Sequence, residues 1–312
     1  MTEPIKIKFS SNNISDIYVE NTFDNLHEII KGLNCNNFSF VFPKNEEKGY
    51  TSIIANLLSD IELKEKEIEE LKDDDTAIVV ADNIVLDKLN KAATKANLII
   101  LPIDIMSMAD YSLYSNLNIN VVYNCTDILV SMSEKNFYNN FSYIMRLGII
   151  KNLKLYMWLI DNLYEISDRE IDTLNEMLVK IVMINKSIIE NSEQEILTFG
   201  YEFSNAFYEV LNDEFTKGEC LALGMIASSY ISWKKDLIKM EYFYELRDMF
   251  VPFNLPISIQ TNDLKKIENA FSYIRNDKTL ISIKAIGRNT IVDDISSELI
   301  SECIEFINFD MD

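Results

Sequence analysis

The chain has 312 residues, of which 48% are hydrophobic and 11% aromatic, and 50 acidic against 29 basic side chains give a net charge of −21. That length exceeds what one core comfortably fills, so two lobes are expected. A surface this acidic repels phosphate backbones and anionic head groups, which excludes nucleic acid and membrane surfaces as partners.

No apolar run reaches the roughly 20 residues that span a bilayer, and the polar start Met1-Thr2-Glu3-Pro4 has no secretory character, so a cytoplasmic protein is expected. Four scattered cysteines, Cys35, Cys125, Cys220 and Cys303, form no C-x-x-C pair. They read as buried thiols, not as a disulfide framework or a thiolate metal cluster.

The first third alternates between strand and helix signals. Period-two patterning predicts strands over 5–9 and 16–20, and helical spacing marks 25–33. A short apolar strand follows at 38–42, then a helix at 50–58. Residues 62–71 are so rich in Glu and Lys that a solvated helix is expected there. Apolar runs at 76–81 and 97–102 read as central parallel strands around a helix at 85–95, and a further strand lies at 121–123. This alternation predicts an α/β lobe with a doubly wound, mostly parallel sheet. From Thr126 onward the pattern turns helical, so the expected division is a Rossmann-like domain over 1–125 and a helical domain over 126–312. In the second part, helices are expected at 137–148, with Ser133 as N-cap, and at 170–189. Around 195–225 a helix start, a loop and a second helix of small apolar residues are expected. A strand and a helix close the chain between 290 and 309.

A dinucleotide-binding turn is glycine-rich, because backbone must approach the pyrophosphate and a helix N-terminus must face it. Here the turn after the strand at 76–81 reads Ala81-Asp82-Asn83, and no glycine occurs between Gly49 and Gly148. A capped strand-to-helix junction, with Asp82 or Asn83 as N-cap, is the expectation.

Several segments nevertheless keep the frame of a known family. Leu197-Thr198-Phe199-Gly200-Tyr201 through Ala206, followed by Lys217-Gly218-Glu219 through Gly224-Met225, resembles the L-N-F-G-H-T-x-G-H-A and H-G-E-A-V-A-x-G-M segments of 3-dehydroquinate synthase and its sugar-phosphate cyclase relatives. Ala81 to Asp87 matches that family's G-G-G-V-x-x-D, and Leu101 to Asp110 its V-P-T-T-L-L-A-Q-V-D. Phe137 to Gly148 matches F-R-S-G-L-A-E-V-I-K-Y-G, Asn185-Lys186-Ser187 matches I-K-A, and Asn276-Asp277-Lys278 resembles H-D-K-K. The resemblance implies a dehydroquinate-synthase-like fold, an NAD- and zinc-dependent cyclase ancestry, and a dimer formed by the sheet-bearing lobes.

The same matches show what has been lost. Tyr143 stands where the zinc-ligand glutamate would be, Tyr201 and Lys217 where zinc histidines would be, Asn205 at the second histidine of the helix, and Arg146 in place of a lysine. The family's lysine-bearing phosphate loop is missing, and no lysine or arginine lies between Ala96 and Lys135. A catalytic zinc needs three ligands drawn from imidazole, thiolate and carboxylate, and Tyr143, Tyr201 and Lys217 do not supply them. The chain's one histidine, His27, lies in the first lobe.

No zinc, no NAD and no other cofactor are therefore expected. The family's polar residues that survive are Asp87, Asp110, Lys186, Glu219 and Lys278, and an ion-pair network is as natural a role for them as catalysis. Two functions remain. One is a non-catalytic relative serving as a binding or assembly subunit, a homodimer or a heterodimer with an active relative through the N-terminal lobe. The other is a repurposed enzyme that takes a different small molecule in the interlobe cleft, using Asp110, Lys186, Glu219, Lys278, Tyr143 and Tyr201.

Overall fold

The computed structural model describes residues 2–8, 14–33, 35, 38–44, 49–114, 116–274 and 279–308. The chain divides into two compact units, Met1–Met132 with Tyr164–Gln194, and Ser133–Leu163 with Glu195–Asp312.

The first unit is an α/β layer structure. Its elements run β1 (Ile5–Lys8), β2 (Ile14–Glu20), α1 (Leu26–Gly32), β3 (Phe38–Val41), α2 (Tyr50–Leu57), β4 (Leu63–Glu65), β5 (Thr76–Ala81), α3 (Asn83–Ala92), β6 (Asn97–Pro102), α4 (Ile105–Asp110), β7 (Ile119–Cys125) and α5 (Thr126–Ser131). After three helices of the second unit, α6 (Glu134–Asn139), α7 (Ser142–Ile150) and α8 (Leu153–Asp161), the chain returns through α9 (Leu163–Ser167) to α10 (Ile171–Glu190). The seven strands form one sheet in the order β1-β2-β7-β6-β5-β3-β4, with β1 antiparallel to β2 and every other pairing parallel. Residues 77–81 of β5 and 98–101 of β6 are fully buried. Continuous apolar runs are what strands covered on both faces require, and each Val or Ile so buried contributes about 1.5–3 kcal/mol.

The units differ from the single cut expected after residue 125. The reason is α10, whose buried face of Leu174, Met177, Leu178, Ile181, Val182, Asn185 and Ile188 packs on β1, β2, α4 and α5. An amphipathic helix goes where its apolar stripe is covered, and that takes Lys186 into the sheet unit.

Residues 62–71 also depart from expectation. Instead of one solvated helix they form the edge strand β4, paired with β3 from Phe38↔Leu63 to Phe40↔Glu65, and then a 3-10 turn at Ile68–Glu70. Lys64 and Glu65 are exposed on this strand, and charged side chains of this kind guard a sheet edge against further pairing. Glu67 and Glu70 close the turn as a capping box.

The second unit continues with α11 (Tyr201–Leu211), α12 (Lys217–Lys234), α13 (Met240–Asp248), α14 (Leu264–Ile274), the antiparallel hairpin β8 (Leu280–Ala285) and β9 (Arg288–Val292), and α15 (Ser297–Ile307). Its centre is α12, buried on all sides from Cys220 to Ser232 and packed by α7, α11, α13, α15 and β8. The single helix expected over 137–148 is instead α6 and α7, broken at Asn140-Phe141. Here the backbone of α12 comes so close that a Cβ on Gly218 would run into the carbonyl of Asn139. Ser142 Oγ then donates to the Gly218 carbonyl at 2.7 Å and fixes the start of α7.

Candidate functional site

Each unit contains one centre that the sequence singled out. In the second unit it forms where α7 meets the entry to α11. Gly200 takes φ +83°, a left-handed conformation that favours glycine, and a Cβ there would lie 2.8 Å from the Met225 nitrogen. A Cβ on Gly224 would in turn strike the Gly200 carbonyl. The Phe-Gly and Gly-Met frame thus survives as the close crossing of α11 on α12.

That crossing sets Tyr201 at the first turn of α11, across from Tyr143 and Arg146 on α7. Arg146 is fully buried. Its guanidinium carbon lies 5.0 Å from the centroid of the Tyr201 ring and 5.6 Å from that of Tyr143, and Nη1 donates to the Leu197 carbonyl at 2.7 Å. A buried charge needs such compensation, and two ring faces plus a carbonyl dipole place negative potential around the cation. Tyr143 and Tyr201, two of the three degenerate metal positions, are therefore brought together around a guanidinium.

The third, Lys217, is the first residue of α12, with its Nζ 5.8 Å from the Tyr208 ring centroid. Asn205 is exposed. Glu219 closes the same helix: its Oε2 accepts from the Thr216 nitrogen at 2.8 Å and from Thr216 Oγ1 at 2.7 Å, while the Glu219 nitrogen donates back to Oγ1 at 3.3 Å. This reciprocal capping box gives Glu219 a structural role.

In the first unit, the Ala81-Asp82-Asn83 turn joins β5 to α3. Asp82 is the N-cap, accepting from the Val85 nitrogen at 2.8 Å. The first amide of α3 is also taken, because Asn83 N donates to Asp104 Oδ2 at 3.2 Å. Asp104 reaches it because β5 and β6 end in register at Ala81↔Pro102, which sets the two strand-to-helix turns side by side. Its other oxygen accepts from Ser107 N at 2.6 Å, and Ser107 Oγ lies within reach of the Asp104 nitrogen, a capping box for α4. Burial, and then the neighbouring Asp82 charge, hold the Asp104 carboxyl above the usual carboxylate range. Two carboxylates of the protein thus cap the N-terminus of α3. Asp104 was not among the sequence candidates, although Asp104-x-x-Ser107 before an apolar run is itself a capping signature.

The other retained residues are dispersed. Asp87 accepts from Tyr114 Oη at 2.7 Å. Asp110 ends α4 and is buried. Lys186 faces Glu190 one helical turn on, at 3.9 Å, a part-exposed pair of small energetic weight. Lys278 lies outside the described residues. His27 Nε2 sits 2.7 Å from Asp60 Oδ1, whose other oxygen takes Lys31 at 2.5 Å, and these contacts, that of Lys31 foremost, bring the Asp60 carboxyl down to about 2. Cys125 and Cys220 are buried and their thiols are pushed up to about 12 by that burial, so neither is a reactive thiolate.

Among the described residues, no group of three His, Cys, Asp or Glu side chains converges as a metal site. Two tyrosines beside a guanidinium do not fit a divalent cation, and an acid-capped turn does not fit a dinucleotide. Among the described residues, no helix is long and apolar enough to cross a membrane.

Residues 141–280 match the family model described as 3-dehydroquinate synthase C-terminal. A 3-dehydroquinate synthase from Dictyoglomus turgidum is 27% identical over 184 residues, covering 54% of this chain and 50% of that protein. The chain thus spans about half the length of the curated relatives it matches. Two solved structures share its fold at greater extent. The 2-epi-5-epi-valiolone synthase ValA from Streptomyces hygroscopicus subsp. jinggangensis 5008, with NAD+ and Zn2+ bound, aligns at a TM-score of 0.79 and 13% identity over 94% of this chain and 96% of its own. A 2-deoxy-scyllo-inosose synthase complexed with carbaglucose-6-phosphate, NAD+ and Co2+ aligns at 0.78 and 12% identity, over 97% and 99%. At such identity the structural likeness speaks for the fold, and residues 141–280 are similar to the C-terminal part of 3-dehydroquinate synthase.

Proposed function

We propose that this chain is a non-catalytic member of the family that works as a binding or assembly subunit. The observation that carries the reading is the closure of the α3 N-terminus, where Asp82 and Asp104 accept from the amides of Val85 and Asn83. A pyrophosphate arriving there would meet two carboxylates and displace hydrogen bonds the helix already has. The donor set in the second unit supports the same reading, since Tyr143 and Tyr201 flank Arg146 in place of a metal-binding carboxylate and imidazole. A repurposed enzyme would need polar groups free to act, yet Glu219 is committed to a helix cap and Asp87 to Tyr114.

The partner side of the proposal is association through the N-terminal lobe, with a second copy or with an active relative. In its favour, β1 ends the sheet order, and Ile14 on its neighbour β2 is 56% exposed. Open sheet edges invite pairing, although Lys6 and Lys8 temper this one. Light scattering at micromolar concentration is expected to give a dimer, or purification from the native source to bring down a relative. A monomer with no co-purifying relative overturns the assembly role.

A further inference from the structure

The centre in the second unit contains more than a lost metal site. Tyr143 and Tyr201 stand at two of the positions for which the sequence resemblance implies metal ligands, and a positive charge lies against both rings. Arg146 reaches it from α7, the helix that also carries Tyr143, and its Nη1 ties the Leu197 carbonyl just before α11 begins. The side chain is fully buried, so this charge has left water altogether. A guanidinium is planar, permanently charged and weakly hydrated, which suits it to lie against ring faces where a lysine ammonium would stay hydrated.

We infer that the Arg146 guanidinium is the resident cation of this centre, a covalently supplied replacement for the divalent ion, and that it holds the Leu197–Tyr201 entry of α11 against α7. This deepens the reading proposed above, because it concerns the same centre and gives the loss of the metal a structural remedy. Two properties follow. The second unit holds together without a metal supply, and the centre responds to cations by shape as well as charge, accepting a flat guanidinium and refusing a compact divalent ion.

Chemical rescue tests this. Arg146→Ala leaves a cation-shaped hollow beside Tyr143, Tyr201 and the Leu197 carbonyl, and its melting temperature is expected to fall on the order of 10 °C. Guanidinium chloride at about 10 mM, far below its denaturing range, should then restore a measurable part of the loss. Sodium chloride at equal ionic strength, zinc and cobalt should not. A control cavity elsewhere in the unit, Ile226→Ala, should show no recovery in guanidinium.

If Arg146→Ala does not fold, Arg146→Met and Arg146→Lys decide the matter, since the first keeps the length without the charge and the second keeps the charge without the plane. The inference predicts both melt below wild type. An Arg146→Met protein as stable as wild type, or zinc restoring Arg146→Ala where guanidinium fails, overturns it. Binding of NAD by the wild-type protein would instead defeat the non-catalytic reading and leave the role of Arg146 standing.

Discussion

The two centres, the α3 turn in the first unit and the Arg146 cluster in the second, solve one problem with opposite charges. A helix N-terminus carries partial positive charge and free amides, and at α3 this chain supplies them with carboxylates from Asp82 and Asp104. In the second unit the electron-rich ring faces of Tyr143 and Tyr201 and the Leu197 carbonyl surround a guanidinium. In each case a charged side chain of the protein meets a partner of opposite potential. The difference lies in how the charged group arrives. Asp82 caps its own helix three residues on, whereas Arg146 needs two helices and the turn before Tyr201 to converge.

The comparison can be broken at the frame before it is tested at the charges. Gly224→Val is expected to have the largest effect, about 3 kcal/mol or more of destabilisation or outright failure to fold, because its Cβ meets the Gly200 carbonyl backbone. Thermal unfolding followed by circular dichroism measures this. A Gly224→Val protein as stable as wild type would mean that the α11–α12 crossing does not position Tyr201.

At the α3 end the effect is smaller. Asp104→Ala removes the cap of α4 and the partner of the Asn83 amide together, and should cost about 1–2 kcal/mol. The pH dependence sharpens the point. The folded-state carboxyl of Asp104 titrates above its unfolded value, so its protonation contributes stability that is fully present below the unfolded value and lost as pH rises through the folded one. The stability of wild type relative to Asp104→Asn should therefore fall as pH rises through and just above the carboxylate range. A difference that is flat with pH would remove burial and Asp82 as the causes.

The smallest expected effect separates a cap from a catalyst. Glu219→Ala should cost about 1 kcal/mol, while Glu219→Gln, which keeps the reciprocal bond to Thr216, should lie within about 0.5 kcal/mol of wild type. Chemical denaturation resolves the two. Equal losses in both variants would show that the carboxylate charge is needed for something beyond the helix end.

What could be read in the sequence follows the range of the interaction. The buried parallel strands β5 and β6 were legible because a sheet covered on both faces demands unbroken apolar runs, and Asp82 was legible as a cap because an N-cap bonds within its own turn. Asp104 escaped because its bond to Asn83 crosses from one strand-to-helix turn to the next, although its own capping box was written locally. Residues 62–71 misled because their Glu and Lys content fits a solvated helix as well as a charged sheet edge, and pairing with β3 decides between them. The α6–α7 break at Asn140 was hidden for a similar reason, since it answers the approach of Gly218 from 76 residues away along the chain, as the Ser142 to Gly218 bond records. Arg146 read only as an arginine in place of a lysine. Its clamp between Tyr143 and Tyr201 depends on a helix that begins 55 residues later, at Tyr201, and no local pattern contains it.

The most direct test of the central claim, that the protein's own charges occupy the α3 turn and the Arg146 centre in place of ligands, is a calorimetric titration of NAD+ into the wild-type protein with zinc in the buffer. The account predicts no saturable heat at sub-millimolar NAD+, because the Asn83 and Val85 amides already donate to two carboxylates that would repel a pyrophosphate. A saturable isotherm with about one NAD+ per chain would contradict it.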